Sequence, residues 1–275
     1  MRKSYAHSDS SHDKDGVLNV CANRDDMKIS FLGTNGWYDT DTGNTICTLI
    51  ETNSHFIILD AGNGFYKIDR YIVNTSRKPI YLFLSHFHLD HIIGLHILNK
   101  FNFRQGLHIY GQEGTKDILD RIINTPYTVP FSKLPFKVDI HDLPEGRHEV
   151  PFSVECRFLF HSAKCMGYRF ELDDKIIAYC ADTGICENAK ELSRNSDLLI
   201  TECSFKSGYN NDNWPHLNPE GAARIAKEAK AKKMVLLHFD ANIYQTLRQR
   251  KEAEEKAREI FHNTITTLDD MQFEI

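Results

Sequence analysis

Four side chains able to ligate a metal, His86, His88, Asp90 and His91, fall within six consecutive positions directly after the apolar run Ile80–Leu84. That density constrains the local fold. Alternate side chains of an extended segment share a side, so His86 and His88 point together, while the turn into a following helix brings Asp90 and His91 back towards a second position. Ile92, Ile93, Leu95, His96, Leu98 and Asn99 follow at helical spacing, which predicts a strand ending at Leu84, a ligand-bearing loop and then a helix. Imidazole nitrogen with a few carboxylate oxygens suits zinc, and also iron or manganese where the coordination number rises.

The chain around this loop alternates short apolar, β-branched runs with Gly, Asn and Asp. Ile29–Leu32, Ile46–Glu51, Phe56–Leu59, Leu107–Tyr110, Phe136–Ile140, Val154–Phe160, Met166–Leu172, Ile176–Cys180, Leu198–Thr201 and Met234–Leu237 read as further strands, with Asp173 and Asp174 as a hairpin turn. Pro219–Lys232 predicts a helix, with Asn218 as N-cap and Pro219 in its first position. Gln245–Phe261 predicts another; its charges alternate in sign, as on a solvated face laced by i,i+4 pairs rather than an RNA-gripping one. Two long loops, Asn124–Leu134 and Gly208–Leu217, are candidate binding segments. The pattern fits one domain of two sheets with helices outside over residues 27–275, preceded by a disordered polar head over residues 1–26 in which His7 and His12 are solvated.

Charge and cysteine content narrow the function classes. With 33 Lys+Arg against 38 Asp+Glu and a net charge of −5, the chain lacks the dense basic face that coats nucleic acid by charge alone. Its seven cysteines are odd in number, contain no CxxC pair and lie mostly in apolar runs, which predicts buried thiols in a reducing compartment and argues against a cysteine-built zinc site. No apolar run approaches the roughly 20 residues of a spanning helix, and the first 26 residues lack the apolar stretch of a secretory signal. A cytoplasmic protein without a membrane partner is expected.

Further ligand-type residues follow apolar runs downstream: His161 after Phe158–Phe160, Asp182 after Ile176–Ala181, and His238 after Met234–Leu237. Each sits at the C-terminal end of a strand-like run, the edge where α/β sheets place their sites. Together with the first cluster they have the ligand count of a dinuclear site.

The spacing His86-x-His88-x-Asp90-His91 resembles the metallo-β-lactamase fold, and the surrounding motifs are similar to its phosphodiesterase branch, which includes ribonuclease Z. The matching segments are Phe31–Gly36, Asn44-Thr45, Ile58–Gly62, His161-Ser162, Gly167–Arg169, Tyr179–Thr183, Thr201–Phe205, His216–Glu220 and Leu237–Phe239. The resemblance covers the chain from Lys28 to its C-terminus and implies a four-layer αββα sandwich with two divalent ions at one edge. Zinc is the expected metal, with manganese or iron as alternatives. Carried over residue by residue, His86, His88 and His161 would hold the first ion, Asp90, His91 and His238 the second, with Asp182 bridging and Asp60 orienting a ligand. Glu202 and His216 match the family's acid pair and join Asp90 as catalytic groups.

Two ions a few ångströms apart favour phosphoester hydrolysis by a bridging hydroxide, and an imidazole oriented by a carboxylate can protonate the leaving oxygen. Bacterial ribonuclease Z carries a long basic arm between the third histidine and the bridging aspartate. Here that interval holds only a predicted hairpin, whose cations are Lys164, Arg169 and Lys175, and the ending His238–Ala241 departs from that of ribonuclease Z. A small or cyclic phosphodiester is therefore the expected substrate, with Tyr127, Phe131, Tyr209 and Trp214 as candidate stacking surfaces. The alternatives are RNA 3′ processing and a metal-binding protein that does not hydrolyse. The resemblance also implies a homodimer.

Overall fold

The computed structural model describes residues 27–73 and 76–275, so the head expected over residues 1–26 lies outside the described residues. The apolar runs become strands wherever a turn residue stops them: β1 (Lys28–Gly33), β2 (Asn35–Gly36), β3 (Cys47–Glu51), β4 (Phe56–Leu59), β5 (Ile80–Phe83), β6 (Leu107–Gly111), β7 (Val138–Asp142), β8 (Gly146–Val150), β9 (Phe152–Leu159), β10 (Cys165–Leu172), β11 (Lys175–Cys180), β12 (Leu198–Glu202), β13 (Met234–Leu237), β14 (Phe239–Asp240), β15 (Thr264–Thr266) and β16 (Met271–Glu274). Two sheets result, ordered β16-β1-β3-β4-β5-β6-β7 and β15-β13-β12-β11-β10-β9-β8, while β2 and β14 form a separate short ladder. β10 and β11 join through Asp173 and Asp174, both at positive φ, as a tight hairpin turn requires.

The sheets stack face to face because successive residues of each inner strand alternate between two apolar layers. Between the sheets, Phe83 meets Tyr168 and Phe170 edge-on at 5.3 and 4.9 Å, with Phe31, Leu59 and Tyr179 in the same core. On the outer side of the first sheet, Leu49, Ile58 and Leu82 pack with Phe65, Ile68, Leu95 and Leu98. The α-helices are α1 (Leu89–Ile92), α2 (Thr115–Ile122), α3 (Glu187–Ser193), α4 (Pro219–Glu228) and α5 (Leu247–Arg258), and α3, α4 and α5 cover the second sheet. This is the αββα sandwich. Among the described residues no helix is long and apolar enough to cross a membrane.

Several boundaries differ from the sequence reading. The helix after Asp90 is α only to Ile92 and continues as 3₁₀ turns over Ile93–Lys100. Its Gly94 N–H donates to the carbonyl of Ala61 at 2.8 Å, a long-range bond that takes the place of the i−4 bond. α4 stops at Glu228 rather than Lys232, because Lys230 turns left-handed and the Ala231 N–H closes onto Ala226. Its start matches: Asn218 accepts from the Gly221 N–H at 2.8 Å and Pro219 is the first helical residue. β8 was not anticipated, since Gly146–Val150 is a largely exposed edge strand with no apolar alternation. Nor were α2 and α3.

Parallel pairing places the strand ends that matter on one edge. β4, β5 and β6 run parallel, as do β11, β12 and β13, and β9 regains that direction through two antiparallel steps. Their C-terminal ends carry the loop 84–91, His161, Asp182, Glu202 and His238.

Candidate metal centre

At this edge the ligand-type atoms of His86, His88, His161 and Asp182 all lie within 4.8 Å of one another, and so do those of Asp90, His91 and His238. Asp182 stands between the groups. Its Oδ2 is 3.8 Å from His86 Nε2 and 3.9 Å from His161 Nε2, and its Oδ1 is 3.3 Å from His91 Nε2 and 3.2 Å from His238 Nε2. All seven sequence-predicted ligand residues are therefore brought together. Asp182, His216 and His238 make a third such grouping.

The hydrogen bonds behind the imidazoles fix which nitrogen faces inward. Asp60 is the hub, fully buried and left-handed at φ 55°. Its Oδ2 accepts from His91 Nδ1–H at 2.8 Å, Ser85 Oγ–H at 2.8 Å and Tyr179 Oη–H at 2.5 Å, and its Oδ1 accepts from the Ser85 N–H at 2.7 Å. Because the Ser85 proton goes to Asp60, its oxygen is free to accept from His86 Nδ1–H at 3.0 Å. Ser204 repeats the device: its hydroxyl donates to the His238 carbonyl at 2.9 Å and accepts from His238 Nδ1–H at 3.0 Å. The Pro215 carbonyl lies 3.4 Å from His161 Nδ1. Asp60 is thus more than a turn residue.

These partners leave a concentration of inward lone pairs. Among the described residues His86 Nε2 and Asp182 Oδ1 are buried without a hydrogen-bond partner, and His91 Nε2 faces His238 Nε2 at 3.0 Å, where two neutral rings with Nδ1–H groups would set lone pair against lone pair. Buried polar atoms of this kind are costly without a proton or cation between them. Burial works against charge on His91 and His238, but the carboxylates of Asp182, Asp90 and, for His91, Asp60 outweigh it and raise both pKa values. His86, His88 and His161 are lowered, chiefly by burial. Burial likewise pushes the carboxyls of Asp90 and Asp182 up, yet the facing imidazoles hold both below the usual range. Imidazole nitrogens and ionised carboxylates converging on one point are the donor set of a divalent metal site, in which an ion would take the place of the protons that His91 and His238 favour without it, and the residues fit it.

Beside this floor stands the predicted acid pair. Glu202, fully buried, accepts on Oε1 from His216 Nδ1–H at 2.8 Å and from the Thr183 N–H at 2.5 Å, and on Oε2 from the Ser204 N–H at 3.2 Å. Burial opposes protonation of His216, but Glu202 outweighs it and the pKa rises to about 9. A cavity of about 640 Å³ opens over the cluster, lined by Trp37, His88, Leu89, Asp90, Asp182, Ser204, Trp214, His216 and His238 together with Gly36 and Asp240. Gly36 is obligatory, since a Cβ there would come within 2.5 Å of the His238 ring.

Of the expected stacking residues only Trp214 lines this cavity. Tyr209 packs edge-on against Phe205, Phe131 lies against the outer core of the first sheet, and Tyr127 is exposed on the 124–134 loop. Sequence reasoning missed Trp37, whose N–H donates to Asp90 Oδ2 at 2.8 Å, and the orienting roles of Ser85, Ser204 and Tyr179. Ser85 precedes His86 directly, and Ser204 stands two residues after Glu202; that adjacency was the available signal.

Residues 55–239 match the family model described as the Beta-lactamase superfamily domain. Ribonuclease Z of Bacillus velezensis is 26% identical over 310 aligned positions, which span 90% of this chain and 98% of that protein. Among solved structures, the metallo-β-lactamase fold protein YhfI of Bacillus subtilis superposes with a TM-score of 0.74 at 23% identity, covering 91% of this chain and 100% of that one. The short form of human tRNase Z gives 0.69 at 22% identity, covering 90% and 99%.

Proposed function

This chain belongs to the β-lactamase superfamily, and from that premise we propose that it is a metal-dependent phosphodiester hydrolase acting on a small or cyclic phosphodiester. The observation that carries the reading is His216, protonated on Nδ1 against buried Glu202 and presenting its other edge to the cavity that holds the ligand cluster. His86, His88 and His161 would hold one ion and Asp90, His91 and His238 another, with Asp182 shared; zinc suits the donors, and manganese or iron are alternatives. Divalent ions held there would activate water near neutral pH and neutralise charge on the phosphoryl oxygens.

The protein's own groups do the rest. Asp60, directly and through Ser85, keeps the protons of His91 and His86 on Nδ1, so that both Nε2 atoms face inward. Glu202 keeps His216 charged through neutral pH, because its raised pKa leaves the ring protonated below about 9. The imidazolium can then give its Nε2 proton to the departing alkoxide, a role that contributes typically ~10²–10⁴-fold. This pair favours hydrolysis over mere metal binding.

For the substrate, a cavity of about 640 Å³ suits a small ligand. Among the described residues no Lys or Arg lines it. Between His161 and Asp182 stands only the two-residue-turn hairpin, and its Arg169 guanidinium is engaged by the carbonyls of Leu192 and Arg194 at 2.9 and 2.6 Å. RNA 3′ processing is the second reading, favoured by the 26% identity to a ribonuclease Z. That alignment runs to 310 positions although 90% of this chain is fewer than 250 residues, so the relative carries segments without a counterpart here. The six cysteines among the described residues are free, five of them buried, which supports a reducing, cytoplasmic setting.

The test is metal content of the purified protein, followed by hydrolysis of bis-p-nitrophenyl phosphate and of cyclic nucleotides with added zinc or manganese, beside cleavage of a 3′-extended transfer RNA. Turnover of the small diesters with metal bound supports the reading. Salt-sensitive cleavage of the RNA alone would replace it with the second.

A further inference from the structure

The chain contains two tryptophans, and both line the cavity over the ligand cluster. Large aromatic side chains gain most by burial, yet Trp37 is 66% exposed and Trp214 49% exposed. Trp37 is also held in the left-handed region at φ 73°, a conformation a bulky residue adopts at a cost and one that clusters at ligand-binding sites. What holds it there is the site itself. Its N–H donates to Asp90 Oδ2 at 2.8 Å, and Gly36 before it is pressed against the His238 ring. On the other element, Trp214 lies 9° from parallel with the His88 imidazole at 5.9 Å. Leu89, 66% exposed, adds apolar surface.

Outside the ligand cluster and the Glu202–His216 pair, the wall thus presents Trp37, Trp214 and Leu89 with Asp240, and among the described residues no Lys or Arg lines it. A phosphodiester bound at the cluster would set its ester group against this wall, and the group that gains from two indoles is flat, uncharged and aromatic. We propose that Trp37 and Trp214 are specificity-determining residues that hold the nucleobase of a mononucleoside phosphodiester beside the ligand cluster. This rests on the phosphodiesterase reading above. An RNA strand offers the same bases, but binding a strand also needs a groove of cations along its backbone, and among the described residues no Lys or Arg lines the cavity.

Because these are the two indoles of the chain, its tryptophan emission reports on the cavity. With the metal-loaded protein, adenosine 5′-monophosphate should quench that emission and ribose 5-phosphate should not. Calorimetry should give the nucleotide about 10–100-fold tighter binding than the sugar phosphate, the worth of base stacking on an aromatic side chain. In Trp37→Leu and in Trp214→Leu the ratio of the two affinities should fall towards one. Equal affinities in the wild type, or an unchanged ratio in both variants, would overturn the proposal. An oligoribonucleotide that binds far more tightly than the mononucleotide, with a steep loss in salt, would overturn the mononucleoside assignment. Hydrolysis of bis-p-nitrophenyl phosphate by the same preparation tests the phosphodiesterase reading separately, since base discrimination is read from binding alone.

Discussion

The floor and the mouth of the cavity are built on different terms. On the floor His86, His91, Asp182 and His238 are at most 4% exposed, and the imidazoles of His86, His91 and His238 are each set by a hydrogen bond on the nitrogen that faces away. At the mouth Trp37 and Leu89 are two-thirds exposed and Trp214 about half. The floor fixes lone-pair directions, which decides the reaction; the mouth offers surface, which decides what is bound. Substitutions in the two regions should therefore fail differently.

The largest effect is expected at Asp182. Its two oxygens face both ligand groups, so Asp182→Ala should reduce bound metal, measured by elemental analysis, to a small fraction of the wild-type content and take turnover to the level of the blank. A variant that kept its metal would show that the floor does not depend on this carboxylate. Next comes His216→Ala, which should retain metal and lose about 10²–10⁴-fold in turnover. The loss should be greater on an alkyl ester than on a nitrophenyl ester, because a good leaving group needs no proton. Equal losses on both esters would remove His216 from the acid role.

Asp60→Asn tests the orientation of the floor. It removes the charge and replaces one of the two acceptor oxygens by an amide donor, so the bonds to His91, Ser85 and Tyr179 on one oxygen and to the Ser85 N–H on the other cannot all be kept; partners of this kind are worth roughly 10–100-fold in metal affinity. A metal titration monitored by calorimetry should show a loss of that size, and Ser85→Ala should show a smaller one, because His91 keeps its bond to Asp60. Unchanged affinity in both would mean that burial alone sets the ring orientations.

The same contrast explains what the sequence revealed. The loop 86–91 was legible because its ligands are crowded into six positions after an apolar run, so local geometry suffices. His161, Asp182 and His238 were legible as residues closing strands, since the parallel runs share one edge. Tyr179 was not, because its hydroxyl reaches Asp60 across the sandwich from 119 residues away, and only the stacking of the sheets brings them together. Trp37 was hidden by its left-handed backbone, which no apolar period reports. Tyr127, Phe131 and Tyr209 shared loop chemistry with Trp214 but not its position. Most instructive is Arg250. The alternating charges of α5 read as solvated, and Arg248–Glu252 at 2.9 Å and Lys256–Glu259 at 2.8 Å do pair on its exposed side, yet Arg250 in the same run is fully buried and Glu254 nearly so.

Arg250 gives the smallest predicted effect and the sharpest division between the regions. Its guanidinium lies over Phe239 at 4.8 Å and donates to Thr34 Oγ1 at 2.8 Å, Thr42 Oγ1 at 3.0 Å and Asn35 Oδ1, so it anchors from below the loop that carries Gly36 and Trp37. Lysine keeps the charge but cannot reproduce the planar fork. Arg250→Lys should leave at least one of these acceptors unpaired and lower stability by about 1–3 kcal/mol, read from urea unfolding of the full chain, with a change in Trp37 emission. Metal affinity should stay near that of the wild type, because His86, His91 and His238 are held by Asp60, Ser85 and Ser204 and not by this arginine. If Arg250→Lys instead lost metal as Asp60→Asn is expected to, the strain would be passing through Gly36 into His238, and floor and mouth would be one mechanical unit.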